Sequence, residues 1–521
     1  MNDGQTQGHE RVTIRQMPAG VPGLDEILGG GLPEYSFNII AGAPGCGKTT
    51  LAHQFVFANA SPERPALYFT ILGEPAVKML RYQQQFTFFD QTKLDGAIHF
   101  VNLSQFVLEQ NLSGVLEEIV KQVEEFDARI VVVDSFRTVV RRAQANQTEM
   151  ELQGFVQRLA LHLSSWQATS FLVGEYANDE IRDNPVFTVA DGLFWLYQSM
   201  ERNSIVRKMQ IMKLRGQESV PGLHTFRITD AGLQTFPRTF GLARESVHIR
   251  GQRRLSTGIP ELDAVMGGGI PNGSSLLLAG PSGSGKSIMA SQFIAEGLRQ
   301  GEPGVVAIFE ELPADFNRRA TDFGLDLETP QKEGLLKVIY IRPLDLSVDE
   351  TVYEVMGAVK QIGAKRVVVD SLVGFEMALA PDFRHEFRES LYRMIGALTR
   401  LGVTVVSTVE IEESFTSMSL SNFTISFLAD DILRLRYVSI NGQLRKMLLV
   451  VKMRGSAYSI DMWEYQITEK GVVIGKPLRG YRGLTTGIPG PWSLDSGQND
   501  PEPRPDRPAK LPLESKEGPH E

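Results

Sequence analysis

Gly20–Phe55 reads GVPGLDEILGGGLPEYSFNIIAGAPGCGKTTLAHQF, and Gly258–Phe293 reads GIPELDAVMGGGIPNGSSLLLAGPSGSGKSIMASQF. Both open on a G-[VI]-P-x-L-D leader, pass through an apolar run and close on a G-x-x-x-x-G-K-[ST] loop. Lys48 and Lys286 stand 238 positions apart, as do Asp25 and Asp263. A constant offset on this scale marks a tandem duplication, and 521 residues suit two domains rather than one core.

Working outward, residues 1–11 are polar and read as a disordered start. The first domain covers 12–236, a linker 237–254, the second domain 255–480 and a disordered Pro-rich tail 481–521. The linker carries Arg238, Arg244, Arg250, Arg253 and Arg254. These are either a solvated connector or a basic strap on an acidic neighbour. TTGIPG at 485–490 echoes the leader without a loop behind it, as a stub or docking segment.

Inside each domain, short Val- and Ile-rich runs alternate with amphipathic stretches. FNIIAG, ALYFTI, RIVVVDS and TSFLVGE in the first half match SLLLAG, VVAIFEE, RVVVDS and VTVVSTVE in the second. Runs of this kind read as strands buried on both faces of a parallel sheet. VLEEIVKQVEEF and HEFRESLYRMIGALTRLG read as helices between them. The expected fold is α/β, two mainly parallel sheets flanked by helices.

Net charge is −9, which disfavours a broad basic footprint for nucleic acid. The single Cys46 leaves no internal disulfide and no multi-cysteine zinc site, and suits a reducing cytoplasm. No signal-like core or membrane-length apolar run is present.

The loops carry the chemistry. Gly42, Pro44, Gly45, Cys46 and Gly47 lead to Lys48, Thr49 and Thr50; Gly280, Ser282, Gly283, Ser284 and Gly285 lead to Lys286, Ser287 and Ile288. Such glycines let backbone N–H groups converge on phosphate oxygens at a helix N-terminus. Lys48 and Lys286 are placed on the β- and γ-phosphates, and Thr49 and Ser287 on Mg²⁺. Cys46 reads as a small loop residue. Asp134 and Asp370, each ending a buried strand, are the expected second acids on the metal side. Glu310 and Glu311 follow VVAIF and suit a cation or a reacting water, with Glu310 also placed toward the metal. In the first domain the same offset falls on Leu72 and Gly73, and the nearest carboxylate is Glu74. Lys213-Leu214-Arg215-Gly matches Lys452-Met453-Arg454-Gly. Cation–x–cation at the end of a strand puts both charges on one face, a form suited to a neighbouring subunit's phosphates.

Together these residues resemble the KaiC family, the two-domain RecA-like ATPase and autokinase of the cyanobacterial clock and its bacterial relatives. The resemblance covers about residues 12–480 and rests on the doubled leader, the doubled loop, FEE at 309–311 and the doubled K-[LM]-R-G. It implies ATP and Mg²⁺ held between subunits of a double-ringed homohexamer, with Lys213, Arg215, Lys452 and Arg454 acting in trans. It also implies a slow ATPase in domain one and serine/threonine autophosphorylation in domain two, with Glu310 as general base and Glu311 as its helper. Ser426 falls on the family's acceptor serine, Phe427 on its acceptor threonine, and Ser421 and Thr424 lie nearby. The tail does not match the activator-binding tail of the clock protein. A KaiB-like or sensor-kinase partner is left open. The competing readings are a RecA-like recombinase or helicase and a nucleotide-gated scaffold without kinase activity. No N-K-x-D guanine-reading signature is present, which favours ATP.

Overall fold

The computed structural model describes residues 14–71, 76–109, 112–139, 149–177, 180, 184–201, 204–238, 253–341, 348–378, 387–411, 429–484 and 490–491. Each domain is built on one nine-stranded sheet. In the first, the strands are β1 (Phe37–Gly42), β2 (Ala66–Thr70), β3 (Ile98–Asn102), β4 (Ile130–Asp134), β5 (Thr169–Glu175), β6 (Gly192–Glu201), β7 (Ser204–Leu214), β8 (His224–Thr229) and β9 (Gly232–Phe236). In the second they are β10 (Ser275–Gly280), β11 (Gly304–Ile308), β12 (Leu336–Tyr340), β13 (Arg366–Asp370), β14 (Thr404–Glu410), β15 (Asp431–Ile440), β16 (Gln443–Met453), β17 (Trp463–Thr468) and β18 (Gly471–Pro477).

The first sheet runs β9-β8-β7-β6-β1-β5-β4-β2-β3 and the second β18-β17-β16-β15-β10-β14-β13-β11-β12. The two orders are the same, strand for strand. Six neighbours from β6 to β3 are parallel, and β7, β8 and β9 extend the sheet antiparallel.

The loop-bearing strands lie at the centre because their side chains have apolar partners on both faces. Phe37, Ile39 and Ala41 of β1 join one core cluster and Ile40 the other. Leu277 and Ala279 of β10 likewise face away from Leu276 and Leu278. Alternation along a strand produces this division, and full burial removes the polar alternation from the sequence. Helix Lys48–Asn59 covers one face of the first sheet; helices Leu112–Glu125 and Glu149–Ser165 cover the other.

Helix Val348–Ile362 of domain two packs on the β8–β9 hairpin of domain one. Arg227 grips Glu350 with two nitrogens, Nη2 to Oε2 at 3.0 Å, while Thr225 donates to Asp349 at 3.3 Å. The Phe236 and Tyr353 rings meet edge-on, centroids 5.5 Å apart.

At the ends of the linker the described arginines have partners. Arg238 pairs with Glu389 at 3.0 Å, Arg253 with Glu302 at 2.5 Å, and Arg254 donates to the carbonyls of Met266 and Gly269. Arg244 and Arg250 lie outside the described residues. A tail disordered from residue 481 needs correction at its start. Tyr481–Arg482 pairs antiparallel with Gly490–Pro491, so part of the TTGIPG echo closes a small ribbon, and Leu484 is buried.

Candidate nucleotide sites

Each loop leaves the C-terminal end of its central strand and enters a helix at the lysine, Lys48 or Lys286. Gly47 and Gly285 cap those helices at φ 101° and 92°, with no side-chain cap. A left-handed cap without a side-chain acceptor leaves the first helical N–H groups directed at the cleft, where an anion can take them. A Cβ on Gly47 would come within 2.7 Å of Ile228 Cδ1, and one on Gly285 within 2.9 Å of Ile467 Cδ1. The β8 and β17 isoleucines therefore press on the turn of each loop.

Lys48 Nζ donates to the Ala43 carbonyl at 2.7 Å, and Lys286 Nζ to the carbonyls of Gly280 and Pro281 at 2.9 and 2.7 Å. Both ammonium groups are folded over their own loops, a position from which they can turn to phosphate. Burial depresses the Lys286 pKa, against the raising influence of Glu410, Asp370 and Glu310. Burial pushes the Cys46 thiol up, against Lys48, so Cys46 serves as packing rather than as a thiolate.

The strand-end acids face the loops. Asp134 Oδ2 accepts from Thr49 Oγ1 at 2.8 Å and from Tyr68 OH at 2.9 Å, and burial raises its pKa. Asp370 accepts from Thr408 Oγ1 at 2.5 Å, and Ser287 lines the same cleft. A hydroxyl beside a single carboxylate suits Mg²⁺, which keeps waters and takes its other ligands from substrate phosphates. Among the described residues no three His, Cys, Asp or Glu side chains converge as an all-protein cage.

Glu310 accepts from Ser371 Oγ, and Glu311 lies 2.6 Å from Arg319 Nη2. Burial raises the Glu311 pKa; Arg319 opposes the shift, while Asp370, Asp315 and Glu310 add to it.

Two acids escaped the sequence reading. Glu175 ends β5 paired with Gly42, and Glu410 ends β14 paired with Gly280. Each lies beside the first loop glycine and lines its cleft. The signal was a Glu closing the same strand in both repeats, TSFLVGE and VTVVSTVE. The first cleft therefore has a carboxylate independent of Glu74. Leu72, Gly73, Glu74, Ser421, Thr424, Ser426 and Phe427 lie outside the described residues.

The K-[LM]-R pairs are at the opposite end of the sheet from their own loops. Leu214 pairs with Gly192, which pairs with Asn38 near the start of β1; the loop follows Gly42. Met453 pairs with Asp431, which pairs with Leu276 near the start of β10. At ~3.3 Å per residue, the length of the strand separates cations and loop within one chain. Lys213 Nζ donates to the Thr188 carbonyl at 3.0 Å and Arg215 pairs with Asp191 at 3.1 Å. Lys452 Nζ donates to the Ala429 carbonyl at 2.8 Å and Arg454 lies 3.7 Å from Asp430. Strand alternation does not align these pairs, because β7 ends at Leu214 and β16 at Met453, before each arginine. Burial lowers the Lys213 pKa and the Arg215 charge lowers it further.

The family model described as "ATPase: KaiC" matches residues 17–239 and again 255–479. Similar curated proteins include the circadian clock oscillator protein KaiC of Picosynechococcus sp., 28% identical over 95% of both chains. KaiC 1 of Synechocystis sp. is 28% identical over 93% of this chain and 94% of its own. KaiC of Prochlorococcus marinus is 27% identical over 94% and 98%. Among the described residues no helix is long and apolar enough to cross a membrane.

Proposed function

The chain belongs to the KaiC ATPase family, and from that premise we propose that it binds Mg–ATP at both loops, hydrolyses it, and phosphorylates its own hydroxyls through domain two. The observation that carries this is the doubled set of loop lysine, hydroxyl, strand-end aspartate and strand-end glutamate around each cleft. The loop N–H groups and Lys48 or Lys286 bind the β- and γ-phosphates. Thr49 with Asp134, and Ser287 with Asp370, hold the metal, which offsets phosphate charge when bound. Glu175 orients or deprotonates the attacking water in the first cleft, and Glu410 lines the second in the matching place.

In domain two, Glu310 takes the proton of an acceptor hydroxyl as its oxygen attacks the γ-phosphorus and ADP leaves; Glu311 assists. The acceptor is Ser426 of an adjacent subunit. Lys213, Arg215, Lys452 and Arg454, too far from their own loops to serve them, reach the neighbour's phosphates in a double-ringed hexamer. By analogy with the relatives named as clock oscillator proteins, the assembly acts as a regulatory module, with a KaiB-like or sensor-kinase partner.

Incubation of the full-length protein with γ-labelled ATP tests this. Label is expected on the wild type and absent from Lys286→Ala and Ser426→Ala. Lys48→Ala is expected to weaken hexamer assembly on gel filtration while retaining label. Glu175→Gln is expected to slow hydrolysis at the first site by ~10²-fold with nucleotide still bound. DNA-stimulated hydrolysis with no protein label would place the chain with DNA-acting ATPases instead.

A further inference from the structure

The two clefts hold their strand-end aspartates by different chemistry. Among the described residues the Asp134 carboxylate accepts hydrogen bonds from neutral hydroxyls, those of Thr49 and Tyr68. Asp370 has one hydroxyl, from Thr408, and a guanidinium: Arg319 Nη2 lies 3.7 Å from Asp370 and 2.6 Å from Glu311. The exchange follows the sheet register. Tyr68 pairs with Val132 where Val306 pairs with Val368, so at this position of the register the second domain has a valine in place of the tyrosine. Val173 stands opposite Asp134, in the place that Thr408 fills in domain two.

Arg319 lies on helix Pro313–Asp322, its guanidinium 5.6 Å from the centre of the Phe316 ring, and it lines the cleft with Lys286, Ser287 and Glu310. Among the described residues its Nη2 meets no acceptor with hydrogen-bond geometry. Its close partner is Glu311; at 3.7 Å it acts on Asp370 through charge. Arg81, 238 positions earlier, is exposed on helix Ala76–Gln83 and is not among the described residues lining the first cleft.

We propose that Arg319 is a resident cation of the second cleft that competes with Mg²⁺ for Asp370, so that the second site needs more Mg²⁺ than the first to load nucleotide. This rests on the two-site reading above. A fixed positive charge a few ångströms from the metal's carboxylate reduces the attraction a divalent ion feels there. In the first cleft the positive charge acting on Asp134 is that of the loop Lys48, as Lys286 acts on Asp370 in the second; Arg319 is a cation added to that shared pair.

Full-length Lys48→Ala and Lys286→Ala proteins isolate the second and the first site. A fluorescent ATP analogue is bound to each while MgCl₂ is titrated. The midpoint is expected at higher Mg²⁺ for the second site. Arg319→Gln, added to Lys48→Ala, is expected to lower that midpoint by roughly 3- to 10-fold, and Arg319→Lys, which keeps the charge, to leave it within about 2-fold. Equal midpoints in the two single-site proteins, a comparison that leaves Arg319 untouched, overturn the proposal. An unshifted midpoint in an Arg319→Gln protein that still binds nucleotide does the same. If neither lysine variant lowers the bound nucleotide, the two-site reading itself falls and takes this inference with it.

Discussion

Asp134 carries a charge in a place that disfavours charge. Burial raises its carboxyl pKa above the ordinary 3.8, with Thr49 and Tyr68 pulling back only in part. A carboxyl whose folded pKa exceeds the unfolded one contributes stability at low pH and loses it as pH rises through the folded value. In nucleotide-free protein near neutrality, an ionised Asp134 is therefore a cost to domain one, which the proposed metal would offset. Asp134→Asn keeps an oxygen for both hydroxyls and removes the charge. It is expected to raise the first domain's melting temperature by about 2–4 °C at pH 7.5, with the gain shrinking as pH falls, and to abolish Mg²⁺-dependent nucleotide loading there. Thermal melts across pH, beside the Mg²⁺ titration, check both; a gain that persists undiminished in acid would contradict the account. Lys48, Lys286, Asp134 and Asp370 were legible in the sequence because a phosphate loop and an apolar run ending in Asp have few other uses. Glu175 and Glu410 were not, since a Glu closing a strand looks the same whether it meets solvent or a cleft. Arg319 was hidden because its partner Asp370 is near it only in the folded chain.

Among the elements, the loop turn depends on what lies above it. Gly47 combines φ 101° with Ile228 Cδ1 at 2.7 Å from any added Cβ. Gly47→Ala is expected to cost about 1–3 kcal/mol and to lose nucleotide at the first site, by denaturant melts and analogue binding. Adding Ile228→Ala relieves the contact but not the backbone, so it should recover only part of the loss. Complete recovery would mean that the left-handed turn carries no cost. The parallel strands were readable because burial on both faces leaves long aliphatic runs. The β8–β9 and β17–β18 hairpins were not, because HTFRIT and WEYQIT mix polar and apolar residues as any half-solvated edge does. Yet it is these hairpins that bring Ile228 and Ile467 to the loops.

Across the whole molecule, one buried acid stands at the domain contact, beside the Thr225–Asp349 bond and the Phe236–Tyr353 ring pair. The Glu350 side chain is 3% exposed and Arg227 is 39% exposed. Arg227→Ala takes the guanidinium from a buried carboxylate, and the cost is expected at about 2–3 kcal/mol, toward the lower end for a broken buried pair because the arginine is partly solvated. Calorimetry should then show the two domains melting apart, and Arg227→Met with Glu350→Leu should bring the transitions back together. A single unchanged transition in Arg227→Ala would show that the pair does not secure the contact. Arg227 and Ile228 are neighbours on β8, so their side chains leave opposite faces of the strand. One face of this strand grips domain two while the other presses on the first phosphate loop. Thermodynamic linkage then makes the two contacts reciprocal: whatever factor nucleotide at the first loop applies to the docking of domain two, docking applies to nucleotide affinity. Affinity at the first site is thereby a gauge of how firmly the domains are joined, and severing the chain between them would move it without altering a single loop residue.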